Sequence, residues 1–362
     1  MKGVGDRAME TDALQFLKRL LDAPGPSGFE RAPARLWREE AAGIATVETD
    51  VAGNSIARLN PAGRPRVMLT GHLDEIGLMV VHIDDEGFVH FALIGGWDSQ
   101  VLVGQRVRLE GRTGPVAGVI GKKAIHLMKS EERDKVSKVT DLWIDIGAAT
   151  KAEAAERVRV GDPGVLVAPP LDLPNGRIAS RSIDNRIGSF VVLEALRRLA
   201  KEPPAACVLA VGTTQEEISY TGGGARTSAF GLEPDAAVVV DVTHATDYPG
   251  VEKKEVGDFK LGSGPALRRG SAVSPVVFDQ LVAAAEAEQI PYTVEAAPRG
   301  TSTDADAIYT SRRGIATGLV SVPCRYMHSP NEMVALDDLD RAAALLAAWA
   351  RRLKSDTSFI PF

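Results

Sequence analysis

Carboxylates gather where apolar runs stop. Glu216-Glu217 closes the run Cys207-Val-Leu-Ala-Val-Gly-Thr-Thr-Gln215, and His72-Leu-Asp74-Glu75 closes Val67-Met-Leu-Thr-Gly71. Successive side chains of an extended chain point to opposite faces, so adjacent carboxylates at a strand end can serve different purposes. One can bind a metal ion while its neighbour stays free to move protons, a division of labour that suggests hydrolysis by metal-bound water. Comparable residues follow other apolar runs: Asp241 after Ala237-Val-Val-Val240, and His328 after 318–327. Asp184 lies in Ser180-Arg-Ser-Ile-Asp184-Asn-Arg-Ile-Gly188, at the start of a helix. Two histidines with aspartate and glutamate form a borderline-hard donor set suited to zinc, cobalt or manganese, with no cysteine needed. Each residue alone also has an ordinary reading: His72 and Asp74 as a solvated strand-end pair, Asp184 as a helix cap, Glu216-Glu217 as a surface pair, His328 as a loop histidine. Asp241 fits that pattern least, because burying a carboxylate without a partner is costly.

The elements that must position these residues are strands whose carboxyl ends meet, the place where open α/β sheets bind ligands. Thr11 can cap a helix bearing Leu14, Leu17, Leu20 and Leu21, stopped by Pro24-Gly25-Pro26. A buried strand is predicted at 67–69. From 76 to 172 the texture changes to short β-type pieces at 88–94, 101–109, 116–120, 142–146 and 165–167, with a single helical segment at 151–157. Strand and helix alternate again after Ser180: a helix over 185–199, strands over 207–212 and 236–241, and a helix opened by Ser274-Pro275. A last helix starts from an Asp337-Asp338 cap. A β-rich segment inside an α/β alternation implies an insertion, so the catalytic domain comprises 1–75 and 174–362, with 76–173 inserted.

With 362 residues, two domains are the default. A formal charge of −6 argues against a nucleic-acid surface, and no apolar run is long enough to span a membrane. Cys207 and Cys324 lie in apolar runs and read as reduced core thiols. Together with the absence of an apolar leader in the first residues, they predict a cytoplasmic protein.

Six motifs run in order: Gly71-His-Leu-Asp-Glu-Ile-Gly-Leu-Met79, Ser182-Ile-Asp-Asn-Arg-Ile-Gly188, Gln215-Glu-Glu217, Val240-Asp241, Leu261-Gly-Ser-Gly-Pro265 and His328-Ser-Pro-Asn-Glu332. As a set they resemble the tetrahedral aminopeptidases, dinuclear metallopeptidases grouped with glutamyl and deblocking aminopeptidases, some labelled endoglucanases. The resemblance implies a mixed-sheet α/β metallopeptidase domain with an inserted β-rich, barrel or PDZ-like dimerisation domain. Carried over by residue, it makes His72, Glu217, Asp241 and His328 metal ligands, with Asp184 bridging two divalent ions, zinc or cobalt. It makes Glu216 the general base and Asp74 the carboxylate that orients His72. It also implies short peptides with a free N-terminus as substrates, and a homodimer building to a dodecamer. A shared carboxylate suits two cations about 3.5–4 Å apart, whose repulsion it reduces.

Two segments differ from the family pattern: Ile218-Ser-Tyr-Thr-Gly-Gly-Gly224 replaces a Val-Gly-x-Arg-Gly turn, and Thr301-Ser-Thr-Asp-Ala-Asp306 replaces a Gly-Thr-Asp-Ala loop. His126 reads as a packed strand histidine, His82 and His90 as solvent-facing, and His244 as a non-ligand. The run from Lys129 to Lys138 reads as a solvated loop. Gly222-Gly-Gly224 lacks the helix context and the lysine of a phosphate loop. Besides the aminopeptidase, two readings remain: an amide or acyl-amino-acid hydrolase with the same two-metal centre, and a structural assembly held by metal. A structural site has no use for a spare base such as Glu216. Sugar hydrolysis would need two carboxylates flanking an open cleft, without metal.

Overall fold

A computed structural model describes residues 9–219 and 222–362. The leader reading at 1–8 and the Tyr220-Thr221 part of the turn after Glu217 lie outside the described residues.

The strands, in chain order, are β1 (Thr46–Thr49), β2 (Ser55–Leu59), β3 (Arg66–His72), β4 (Gly77–Ile83), β5 (Val89–Ile94), β6 (Arg106–Gly111), β7 (Gly114–Gly121), β8 (Trp143–Asp145) and β9 (Pro163–Leu166). After them come β10 (Leu171–Leu173), β11 (Arg177–Ser180), β12 (Cys207–Thr213), β13 (Ala236–His244), β14 (Ala266–Gly270), β15 (Thr293–Ala297), β16 (Ala316–Cys324) and β17 (Glu332–Ala335). An eight-stranded mixed sheet has the order β1-β2-β12-β3-β13-β16-β14-β15. Its central strands β12, β3, β13 and β16 run parallel, with His72 level with Thr213 and Asp241 level with Ser321. All four are buried almost throughout, as parallel strands covered on both faces must be. Their carboxyl ends therefore open on one edge.

The helix Ile183–Lys201 packs on β3, β12 and β13 and against the helix Leu336–Arg352. Glycine permits this approach. A Cβ on Gly71 would lie 2.4 Å from the Gly188 carbonyl carbon, and one on Gly188 would lie 2.6 Å from the Val240 carbonyl oxygen. The bare backbones let the first turn of the helix, with Asp184, settle beside His72 and Asp241.

Between β3 and β12 the chain forms a closed barrel, β4-β5-β8-β7-β6-β9. It has its own core, including Leu78, Val80, Val107, Leu109 and Ile144. The insertion is thus a barrel. Strands β10, β11 and β17 make a small third sheet. Cys207 and Cys324 are free and buried, and among the described residues no helix is long and apolar enough to cross a membrane.

Local differences from the sequence reading have local causes. The piece predicted at 101–109 is a 3-10 turn, Ser99–Leu102, followed by β6, because the Asp98 side chain accepts from the Gln100 N–H and starts a turn. Thr11 is the first helical residue rather than the cap; Glu10 takes the cap position without a side-chain bond. Asp338 does not cap its own helix. Its two oxygens accept from the N–H groups of Gly262 (2.7 Å) and Gly264 (2.8 Å), tying the 261–265 loop to the first turn of Leu336–Arg352.

Burial pushes the Asp338 carboxyl up to about 6, against those two N–H groups. The folded state then holds the Asp338 proton more tightly than the unfolded chain, whose aspartates titrate near 3.9, so this residue's contribution to stability falls as pH rises from about 4 to 6. Asp338→Asn cannot ionise. The stability of wild type minus that of the variant should decrease by about 2 kcal/mol between pH 4 and 7, measured by urea denaturation; a constant difference would contradict this account.

Candidate active site

His72 is the last residue of β3, and its ring is 1% exposed. Asp74 stands below it, fully buried, with Oδ1 3.3 Å from His72 Nδ1; its own carbonyl oxygen is 3.2 Å from the same nitrogen. The ring therefore directs Nε2 into the site.

Glu216 and Glu217 do not extend a strand, as the sequence suggested. β12 stops at Thr213, Gln215 takes a left-handed backbone with φ 59°, and both glutamates lie in the turn beyond. Their N–H groups donate to Asp74, Glu216 to Oδ1 (3.2 Å) and Glu217 to Oδ2 (3.1 Å). One buried carboxylate thus fixes both the histidine and the acidic turn. The two side chains still separate: Glu216 Oε2 is 3.7 Å from His72 Nε2, and Glu217 Oε2 is 3.3 Å from His328 Nε2.

Asp184 sits between the histidines, with Oδ1 3.3 Å from His72 Nε2 and Oδ2 3.4 Å from His328 Nε2. It is no helix cap; its φ and ψ of −76° and 107° break the helix, and its peptide bond to Asn185 is cis. Donor atoms of His72, Glu216 and Asp241 lie within 4.8 Å of one another, and so do those of His72, Asp184 and Glu217. All seven residues singled out from the sequence converge here.

The charges are unbalanced. Burial, opposed by His72 and reinforced by Asp241 and Asp304, pushes the Glu216 carboxyl well above the ordinary glutamate value. Burial also raises Glu217, with Asp184 adding, and raises Asp241. Against burial, Asp74 and Asp184 raise His72, and Asp184 and Glu217 raise His328 to about 11. Bonds to both histidines pull Asp184 below its ordinary value despite its burial. Glu217 Oε1 is buried without a hydrogen-bond partner. Four carboxylates facing two imidazoles, with an orphaned carboxylate oxygen among them, match the donor set and charge that divalent cations require.

Several contributors escaped the sequence reading. Glu332 accepts from the backbone N–H of Asp184 (2.9 Å) and of His328 (2.8 Å), holding both together. It closes the His328-Ser-Pro-Asn-Glu332 motif, which was the available signal. Asp304 accepts from Thr213 Oγ at 2.5 Å, and burial raises its carboxyl to about 6. Ser27 Oγ donates to Asp74, and Glu30, raised to about 7 by burial and by Asp74, accepts from Gln215. A cavity of about 1190 Å³ opens over the cluster, walled by Gly95 and Gly96 from the barrel and by Asp304, Arg268 and Met327.

Other histidines stay outside the cluster. His126 is exposed in the turn Ile125–Leu127, so the packed-strand reading fails; the chain leaves the barrel wall after β7. His82 is exposed on β4, and His90 pairs with Asp84 at 3.2 Å on the barrel surface. His244, at the end of β13, lines the cavity without joining the donors. The stretch from Lys129 to Lys138 is mostly exposed and contains one helical turn, Ser130–Arg133. Contrary to the sequence reading, the glycine run does open a helix, Gly223–Leu232. Its backbone is already engaged, because Gly224 donates to the Thr214 carbonyl and accepts from Asn54 Nδ2.

Comparisons with known proteins agree with this architecture. The M42 glutamyl aminopeptidase family model matches residues 53–345. The lysyl aminopeptidase of Pyrococcus furiosus is 34% identical over 94% of this chain and 97% of its own. A putative aminopeptidase of Acetivibrio thermocellus is 35% identical over 93% of this chain and 98% of its own. The crystal structure of a TET aminopeptidase from a marine sediment Thaumarchaeota archaeon superimposes with a TM-score of 0.90 at 35% identity, covering 94% of this chain and 96% of that one. The TET1 peptidase of Pyrococcus horikoshii, which can assemble into a tetrahedron or a large octahedral shell, gives 0.84 at 32% identity, covering 94% and 100%. With the family model spanning most of the chain and these identities over nearly full lengths, the protein belongs to the M42 glutamyl aminopeptidase family and is a peptide hydrolase.

Proposed function

We propose that the protein is a dinuclear metallo-aminopeptidase that removes N-terminal residues from short peptides. The observation that carries this reading is Asp184, whose two oxygens face two different histidine Nε2 atoms at 3.3 and 3.4 Å. In this reading His72, Asp184, Glu217, Asp241 and His328 would hold two divalent ions, zinc or cobalt, with Asp184 the carboxylate shared between them. When bound, such ions supply Lewis acidity toward water and the scissile carbonyl.

The remaining chemistry belongs to the chain. Glu216 accepts a proton from the attacking water and returns it to the amine that leaves as the peptide C–N bond breaks. Burial, the first cause, raises its affinity for protons, as a group that must take one up and pass it on requires. Asp74 holds the proton on His72 Nδ1 and so keeps Nε2 free to ligate. We place catalysis in 1–75 and 174–362 and dimerisation in the insertion 76–173. The free thiols suit a cytoplasmic setting, and the shells formed by the Pyrococcus horikoshii relative support self-assembly, here as a homodimer building to a dodecamer.

Aminoacyl-p-nitroanilide hydrolysis should be abolished by a chelator and restored by zinc or cobalt, with circular dichroism unchanged. Peptides with a free amine should be cleaved about 100-fold faster than their N-acetylated forms, a difference of roughly 2.7 kcal/mol. Equal rates on both would favour the acyl-amino-acid hydrolase instead.

A further inference from the structure

The turn that carries both site glutamates begins beyond the end of β12, so no sheet ladder fixes it. Its backbone is held by carboxylates from elsewhere in the chain. Three successive N–H groups point at two buried side chains: Gln215 donates to Glu30 Oε1 at 3.1 Å, and Glu216 and Glu217 donate to the two oxygens of Asp74. The left-handed backbone of Gln215 costs about 1–2 kcal/mol in a residue other than glycine, and it persists only where its surroundings enforce it. Glu30 is 7% exposed, and the same Oε1 accepts from the Gly28 N–H at 2.7 Å. That second bond fixes the carboxylate. Ser27, two residues from Phe29 in the same segment, anchors it to the end of β3 by donating from Oγ to Asp74 and from N–H to the Glu75 carbonyl oxygen at 3.1 Å.

We propose that Glu30 is a positioning residue for the site, acting through the Gln215 amide to set where the Glu216 carboxylate stands. Glu30 is neither one of the clustered donors nor part of the cavity lining, and its bond to the Gln215 N–H is its direct link to the turn. The proposal rests on the reading of Glu216 as the base. Errors of about 1 Å in the placement of a catalytic group cost on the order of 100-fold in rate, which sets the scale of the effect.

Three variants test it. Glu30→Gln keeps a carbonyl oxygen for both N–H groups, Glu30→Asp keeps the charge but withdraws the oxygen by one methylene, and Glu30→Ala removes the acceptor. Each is compared for kcat, KM, bound metal and, in the metal-free protein, hydrogen exchange of peptides covering 213–219. Glu30→Asp and Glu30→Ala should lower kcat about 10- to 100-fold with KM and metal content unchanged, whereas Glu30→Gln should stay within about threefold of wild type. Exchange at 215–217 should rise in Glu30→Asp and Glu30→Ala, with the barrel and Leu336–Arg352 unaffected. In a Glu216→Gln background, Glu30→Asp should lower kcat no further. Full kcat in Glu30→Asp, or unchanged exchange at 215–217, overturns the proposal even if Glu30→Ala fails to fold. Near wild-type turnover in Glu216→Gln alone would remove the base reading, while the exchange data would still report whether Glu30 holds the turn.

Discussion

Glu216→Gln should lower kcat by about two to four orders of magnitude, the span that general acid–base catalysis contributes, and should leave the fold and the metal content unchanged. The substitution is nearly isosteric, and the backbone of Glu216 is held through its N–H to Asp74, which the side chain does not affect. An amide in that position cannot take up the water proton and return it to the leaving amine. Its side chain, 16% exposed, is more open than that of Glu217 at 5%, as the proposed base, which would meet solvent water and substrate, requires. Elemental analysis beside the rate measurement makes the result decisive. Glu216 lies close enough to His72 and Asp241 to be a ligand itself, so loss of metal from Glu216→Gln would reassign it. Near wild-type turnover with metal retained would refute its role as base.

The positions of most of the proposed donors were legible because they follow apolar runs; Asp184, at the start of a helix, is the exception. A run such as Ala237-Val-Val-Val240 has no polar alternation, which marks a strand buried on both faces, and parallel strands of that kind end together. Hence His72, Asp241 and the 216–217 turn share one edge of the sheet, and the barrel showed itself by the change of texture to short β-type pieces. What remained hidden is pairing across long separations. Glu75 was quoted within a motif, yet nothing local reveals that its partners are Arg181 and Arg186, more than a hundred residues away. The partners of Glu30, of Glu332 at the end of its motif and of Asp338, read as a cap, were hidden for the same reason: only the fold supplies the backbone N–H groups that justify their burial. The turn at Gln215 was misread because a non-glycine left-handed residue is unfavourable locally and is imposed by tertiary contacts. His126 was misread because alternation near a barrel strand does not show where the strand ends.

The buried pairing of Glu75 with two arginines leads to the second large effect, one on stability. Glu75 is 2% exposed and accepts from Arg181 Nη1 at 2.6 Å, from Arg186 Nη2 at 2.7 Å and from the Gly25 N–H at 3.0 Å. Arg186 is wholly buried, and that burial pushes its guanidinium below the ordinary arginine value. Its other N–H groups donate to the carbonyls of Leu20 and Leu73, so the guanidinium joins the end of the helix Thr11–Asp22 to the segment after β3. Removing the carboxylate bonded to both arginines leaves two buried cations without the partner that bonds them, and breaking a buried pair in this way costs about 3–5 kcal/mol. Glu75→Gln should therefore lose that amount in urea denaturation, a large share of the 5–15 kcal/mol that typically holds a domain folded. Adding Arg181→Met to Glu75→Gln should cost less than Arg181→Met costs in wild type, because one stranded cation is removed. The mechanism is wrong if the two changes are additive, or if Glu75→Gln costs under about 1 kcal/mol, the worth of an exposed pair. Glu75 adjoins Asp74, and Arg186 follows Asp184 by two positions, so the same ion pair ties the His72 side of the site to the Asp184 side. Loss of bound metal should accompany loss of stability in Glu75→Gln, whereas Glu216→Gln should show neither.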